Sequence, residues 1–234
     1  MRPYGLVLHV PMRHLAIYDM DKTITRDATW TRFLLASARG RAPWRLALYP
    51  IAGLAALGYL LKLTDRAGLK RFTQRLMLGA ALSEAEMEQL AEDFADAEAT
   101  HGVLHGARER VAADRAAGYT LVMATASHGY YAAAIARRLD FDAVVATRAK
   151  RDGQGRILPD LDGDNCYGPA KLRMILDWMD QERIERTGAY IRAYSDHVSD
   201  APLLGWADEG FAVNAHGPLK VLAAEKGWPM LDWR

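Results

Sequence analysis

The chain is expected to be an α/β protein: a parallel β-sheet covered by helices on both faces, with an α-helical module inserted after the first strand. Three observations predict this. From His14 onward, short apolar runs alternate with helical patterns, as strands buried on both faces and their crossover helices do. Charge is partitioned locally. Arg39 to Arg75 holds eight basic residues (39, 41, 45, 62, 66, 70, 71, 75) and one acid, Asp65, whereas Ser83 to Glu98 holds seven acids (84, 86, 88, 92, 93, 96, 98) and no base. Such a shift marks an inserted module. Finally, 234 residues suit one large domain or a domain with a sizeable insertion.

The first strand is His14–Tyr18 (HLAIY). In the insertion, Thr29–Ala38 reads as a short helix and Leu46–Leu61 is sixteen residues without a charge. Asp65–Met77 is amphipathic, with Leu69, Phe72 and Leu76 on one face and Arg66, Lys70 and Arg71 around it. Ser83 with Glu86 three residues later is a capping box, opening a helix to about Ala99. The core resumes with a helix over Val103–Ala117, a strand at Tyr119–Ala124, a helix at Gly129–Leu139 and a strand at Ala143–Thr147. Arg148–Pro159, turning at Asp152-Gly153-Gln154-Gly155, reads as a β-hairpin. A helix over Pro169–Asp180, strands at Ala189–Tyr194 and Phe211–Val213 and a helix at Gly217–Lys226 complete the order. The expected division is a core of residues 1–27 and 101–234 and a helical insertion of residues 28–100.

Lys plus Arg is 30 and Asp plus Glu is 29, a net charge of +1, which speaks against a dedicated nucleic-acid binder. Cys166 stands alone, so no intramolecular disulfide and no cysteine zinc site are expected; it reads as a small buried or loop residue. His101 and His105 share a helix face but lack a third ligand and read as a boundary between insertion and core. The apolar run Gly5–Val10 is too short for a signal peptide, and the expected location is the cytoplasm.

Ligands of open parallel sheets bind outside the carboxyl ends of the strands. Three strands here run into reactive groups: Asp19-Met20-Asp21-Lys22-Thr23, Thr125-Ala126-Ser127, and Ser195-Asp196-His197-Val198-Ser199-Asp200. Carboxylates gathered at one edge need a cation, and oxygen-only donors suit Mg²⁺. Pro169 sets Lys171 in the first turn of a helix, where the dipole disfavours a cation unless an anion lies in front of it. The Ser127-His128-Gly129 turn opens another helix whose N–H groups suit phosphate oxygens.

In these residues the chain resembles the haloacid dehalogenase superfamily of aspartate-nucleophile phosphatases, through four motifs in order: Asp19-x-Asp21-x-Thr23, Thr125, Lys171 and Asp196-x-x-x-Asp200. The resemblance implies a Rossmann-like core with a helical cap, and it implies roles. Asp19 attacks phosphorus; Asp21 is the general acid and base; Asp19, the main-chain carbonyl of Asp21 and Asp196 hold Mg²⁺. Thr125, with Ala126 beside it, and Lys171 bind phosphoryl oxygens, and Asp200 orients Lys171 or a metal-bound water, or caps a helix. His197 is either a substrate contact or a solvated loop residue. Asn214 is either a substrate contact or a turn residue.

The cap position suggests the phosphoserine phosphatase branch. That family's recognition glutamate, nine residues after the nucleophile, is replaced here by Ala28, with Asp27 beside it as a possible substitute. The 43–78 stretch also resembles the apolar, basic caps of bacterial phosphatidylglycerophosphate phosphatases. The expected substrate is therefore a small phosphate ester or a lipid phosphate. Phosphoserine itself, a phosphotransferase reaction and a non-catalytic phosphate-binding module are the alternatives. Two readings of Leu46–Leu61 stay open: a buried cap helix, or a cap resting peripherally on the inner face of a membrane through residues 42–75.

Overall fold

The computed structural model describes residues 12–234; the apolar run Gly5–Val10, on which the signal-peptide expectation rests, lies outside them. β1 (Arg13–Tyr18) sends alternate side chains into two cores. Leu15 and Ile17 join one hydrophobic cluster, Ala16 and Tyr18 the other, as the period of two in a strand requires. β1 pairs in parallel with β2 (Thr120–His128) on one side and β6 (Ala189–Ser195) on the other. β3 (Ala143–Thr147) extends the sheet beyond β2; β7 (Glu209–Val213) and β8 (Met230–Leu231) extend it beyond β6. The six-stranded order β3-β2-β1-β6-β7-β8 is parallel throughout. Its order reverses at β1, the switch point where such sheets bind ligands. Register sets Tyr18 beside Met123 and Tyr194, so the segments that follow these residues emerge at one edge.

Core helices α5 (His105–Ala116), α6 (Gly129–Arg138), α7 (Pro169–Gln181), α8 (Ala201–Trp206) and α9 (Gly217–Lys226) cover the two faces. The short α8 and the two-residue β8 were not foreseen. β4 (Ala149–Arg151) and β5 (Ile157–Leu161) form the expected antiparallel hairpin, turning through Asp152 to Arg156. Beneath the sheet, buried Asp114 accepts from the hydroxyls of Tyr18 (2.6 Å) and Tyr194 (2.8 Å) and pairs with Arg192 (2.7 Å).

The insertion is all helical: α1 (Thr29–Arg41), a 3-10 turn at Pro43–Leu48, α2 (Tyr49–Leu60), α3 (Arg66–Leu78) and α4 (Glu84–Ala97). The capping box at Ser83 and Glu86 forms as read. A π-helical turn, Glu98–Gly102, leads back to the core. Phe33, Met77, Phe94 and the core residues Tyr131 and Ile135 share one hydrophobic cluster, so the insertion is packed onto the sheet rather than tethered to it.

The buried-helix reading of Leu46–Leu61 does not hold. Neither the 3-10 turn nor α2 contains a buried residue. The physical reason is size: beyond Tyr49, the residues that α2 turns toward its neighbours are Ala52, Gly53 and Ala56, while Ile51, Leu54, Leu57 and Leu60 are exposed. Phe72, expected on the apolar face of α3, is likewise 44% exposed.

Candidate active site

After β1 the chain turns through Asp19 to Thr23. The turn is fixed by the Asp19 N–H donating to the carbonyl of Tyr194 (2.9 Å) and by Ile24 and Thr25 N–H groups donating to that of Met20. Lys22 takes a left-handed conformation (φ 61°), and the Asn214 amide donates to its carbonyl at 2.9 Å. The Asn214 carbonyl oxygen accepts from Trp233 N–H, so both ends of this amide brace the turn. Asn214 is therefore built into the loop and does not line the cavity beside it.

That cavity, about 290 Å³, lies at the sheet edge. Of the residues read from the sequence, it gathers Asp19, Asp21, Ala126, Lys171, Asp196, His197 and Asp200. Ala28 is also on its wall; exposed Asp27 is not. Tyr167, Ser199, His216 and Lys22 complete it, and sequence reading gave no signal for the first three as ligand contacts.

Lys171, buried at the start of α7, donates to Asp19 Oδ1 (2.7 Å) and Asp200 Oδ2 (2.6 Å). Burial alone pulls its ammonium down, but Asp19 and Asp200 outweigh that and hold it above its ordinary value, as a firm cation. Ser195 Oγ also donates to Asp200 Oδ2 (2.7 Å). The Thr23 hydroxyl sits 3.3 Å from both Asp19 Oδ2 and Asp196 Oδ1, and accepts from the Asp196 N–H, bringing these two carboxylates to one spot. Burial raises the Asp19 carboxyl to about 8; Lys171 opposes this, while Asp200 and Asp196 add to it. Asp196 is raised too, first by burial.

Three buried carboxylates thus crowd around the buried Lys171 ammonium, which pairs with two of them, and Asp200 Oδ1 is buried with no hydrogen-bond partner. An excess of buried negative charge with oxygen donors only fits a hard divalent cation. Among the described residues no three His, Cys, Asp or Glu side chains form a ready cage. The fitting donors are the two carboxylates of Asp19 and Asp196, which the Thr23 hydroxyl brings together.

Asp21 is held by three donors. Its Oδ1 accepts from the Thr29 N–H and hydroxyl, both at 2.7 Å, and its Oδ2 from Ser127 Oγ at 2.7 Å. The first residue of α1 and the turn after the second motif therefore aim the same carboxylate. Thr125 is fully buried; its hydroxyl accepts from the Ser127 N–H (3.0 Å) and shapes the turn. That N–H is consequently engaged within the turn. The Ala126 carbonyl accepts from Thr147 (2.9 Å) and from Lys70, which reaches across from α3. Sequence patterning had placed Lys70 on the polar rim of α3; the structure buries it against the site. His128 lies between the rings of Trp30 and Tyr130, with burial keeping it neutral. Buried Cys166, its thiol pushed up to about 12 chiefly by burial, is inert packing behind β3.

Residues 16–205 match the family model described as haloacid dehalogenase-like hydrolase. A Mycobacterium tuberculosis protein named phosphoserine phosphatase is 30% identical, over 94% of this chain and 70% of that one. A Neisseria meningitidis histidinol-phosphatase is 24% identical over 95% of this chain and 100% of its own. A solved phospho-aspartyl intermediate analogue of phosphoserine phosphatase superposes with a TM-score of 0.61 at 15% identity, covering 95% of this chain and 94% of that one.

Proposed function

The chain belongs to the haloacid dehalogenase-like hydrolase family and is a phosphatase, and from that premise we propose that it hydrolyses phosphate monoesters through a phosphorylated Asp19, with Mg²⁺ as its cation. The observation that carries this reading is the group of buried Asp19, Asp196 and Asp200 at the buried ammonium of Lys171, with Asp21 on the same cavity wall.

Asp19 attacks phosphorus, forming an Asp19–O–P bond as the ester P–O bond breaks. Asp21 donates its proton to the leaving alkoxide. It then takes a proton from the water that cleaves the acyl-phosphate, releasing inorganic phosphate and restoring Asp19. Thr29 and Ser127 keep Asp21 aimed during both transfers. Lys171 neutralises phosphoryl oxygens and is itself fixed by Asp200. Asp19 and Asp196 would hold Mg²⁺, which when bound would supply charge neutralisation for the transferring phosphoryl group.

The ester group is a small molecule or a lipid. Ala28, on the cavity wall where phosphoserine phosphatases carry their recognition glutamate, removes a partner for a substrate ammonium. A screen of amino-acid, sugar, nucleotide and lipid phosphates identifies it. The cation is tested with p-nitrophenyl phosphate: EDTA abolishes turnover, Mg²⁺ restores it, and larger Ca²⁺ restores it poorly. Full turnover in EDTA contradicts the proposed cation.

A further inference from the structure

The outward side of α2 is the largest feature that the catalytic cavity does not explain. Ile51, Leu54, Leu57 and Leu60 follow one another every three residues, sweeping about half the circumference of the helix, with Leu54, Leu57 and Leu60 within one arc of about 120°, and all are exposed. Leu54 is 69% exposed and Leu60 73%; Trp44 before the helix and Leu63 after it reach 65% and 79%. A helix on a water-exposed surface turns its large apolar side chains inward. α2 does the reverse. Toward α1 and α3 it presents Ala52, Gly53 and Ala56 after Tyr49 in its first turn, and a cavity of about 170 Å³ remains behind them. Nothing in the described residues covers the outer face.

The rim of this face is cationic. From Arg39 to Arg75 the only acid is Asp65, which caps α3. Three of the basic residues are engaged inside the molecule: Arg41 pairs with Glu86, Arg45 donates to the Leu76 carbonyl, and Arg71 pairs with Asp160. Arg39 and Lys62, near the two ends of the 3-10 turn and α2, are exposed and have no ion pair among the described residues. Two copies meeting through this face would bring like charges together, since a two-fold interface sets a patch against itself. An anionic bilayer meets both requirements at once, taking up the leucines and attracting the cations. At 1.5 Å per residue, the twelve residues of α2 span about 18 Å, less than the ~30 Å of a bilayer core, and among the described residues no helix is long and apolar enough to cross a membrane.

We propose that the outer face of α2 docks the protein peripherally on an anionic phospholipid surface, with Leu54, Leu57 and Leu60 inserted among the lipids and Arg39 and Lys62 at the headgroups. The experiment is co-sedimentation of the full chain with vesicles of phosphatidylcholine alone or with added phosphatidylglycerol, across a salt series. Binding is expected to the anionic vesicles, to weaken as salt rises, and to be at least about tenfold weaker on neutral vesicles. Leu54→Gln with Leu60→Gln lowers partitioning by about tenfold or more, since each removes a buried leucine side chain from the lipid. Arg39→Gln and Lys62→Gln lower it by about fivefold each. All four residues are exposed and distant in sequence from the catalytic motifs, so turnover of soluble p-nitrophenyl phosphate is retained, and its retention verifies the fold. Absence of binding to anionic vesicles at low salt overturns the proposal, and so does binding that the leucine replacements leave unchanged. A self-association dispersed by those same replacements, without vesicle binding, assigns the face to a second copy instead.

Discussion

Asp21, the proposed acid and base, shows how much of such a role lies in a residue's neighbours. An acid/base carboxylate must keep one direction while its charge changes, and three donors from two distant segments impose that direction. Asp21→Asn is expected to slow turnover by roughly 10²–10⁴-fold, and the defect should shrink for aryl esters whose leaving groups need no proton. A loss independent of the leaving group would make Asp21 structural. Lys171 is tested through stability. Replacing it with Met strands two carboxylates, Asp19 and Asp200, in a buried site, and breaking a buried pair in this way costs about 3–5 kcal/mol. Urea denaturation measures it, and an unchanged midpoint would mean that the carboxylates are neutral without the lysine. The five charged residues at the heart of the site were legible because each follows an apolar run or opens a helix, patterns carried by the local sequence. Lys70, Tyr167 and His216 were not, because only the folded chain brings α3 and two distant loops to that edge. Asn214 was ambiguous for a related reason: an asparagine at a turn looks the same whether it faces a ligand or, as here, the carbonyl of Lys22.

At the scale of elements, period and capping were readable wherever one face of an element is buried. β1 shows its two-core alternation in the four residues Leu15 to Tyr18, and the Ser83–Glu86 pair marks the start of α4 without ambiguity. β2 was read too short, since its polar end, Thr125 to His128, continues the strand as the site's own backbone. α2 was the hardest, because a run of apolar residues does not say which side meets protein. The capping box makes a pH-dependent prediction. The Ser83 hydroxyl, then its N–H, then Arg41 hold the Glu86 carboxyl down to about 2, against an ordinary 4.5. A lowered folded-state value adds stability above the unfolded value, and that stability is lost as pH falls through the folded one. Ser83→Ala is therefore expected to cost about 1 kcal/mol near neutrality, and less as the pH falls from about 4.5 toward about 2. Thermal melts across that range measure it; a deficit of constant size would detach Glu86 from the cap.

Across the whole molecule, the charge partition that marks the insertion also joins it to the core. Acidic α4 lies against the basic end of α6, where Arg138 pairs with Glu92 (2.8 Å) and Asp96 (2.6 Å) and Arg137 pairs with Glu92. The basic half, α1 to α3, keeps Arg39 and Lys62 for the outside while Lys70 turns inward to the site. A net charge near zero therefore conceals two oriented surfaces, one internal and one external. The central proposal is covalent catalysis by Asp19, and rapid acid quenching during turnover of a slow phosphate ester, followed by peptide mass analysis, tests it most directly. The expected result is a phosphoryl group on the peptide containing Asp19, reducible by borohydride as an acyl-phosphate is, and absent from inactive Asp19→Asn. Turnover with no phosphoryl group on that peptide, or an Asp19→Asn protein that still hydrolyses the ester at a comparable rate, would contradict it.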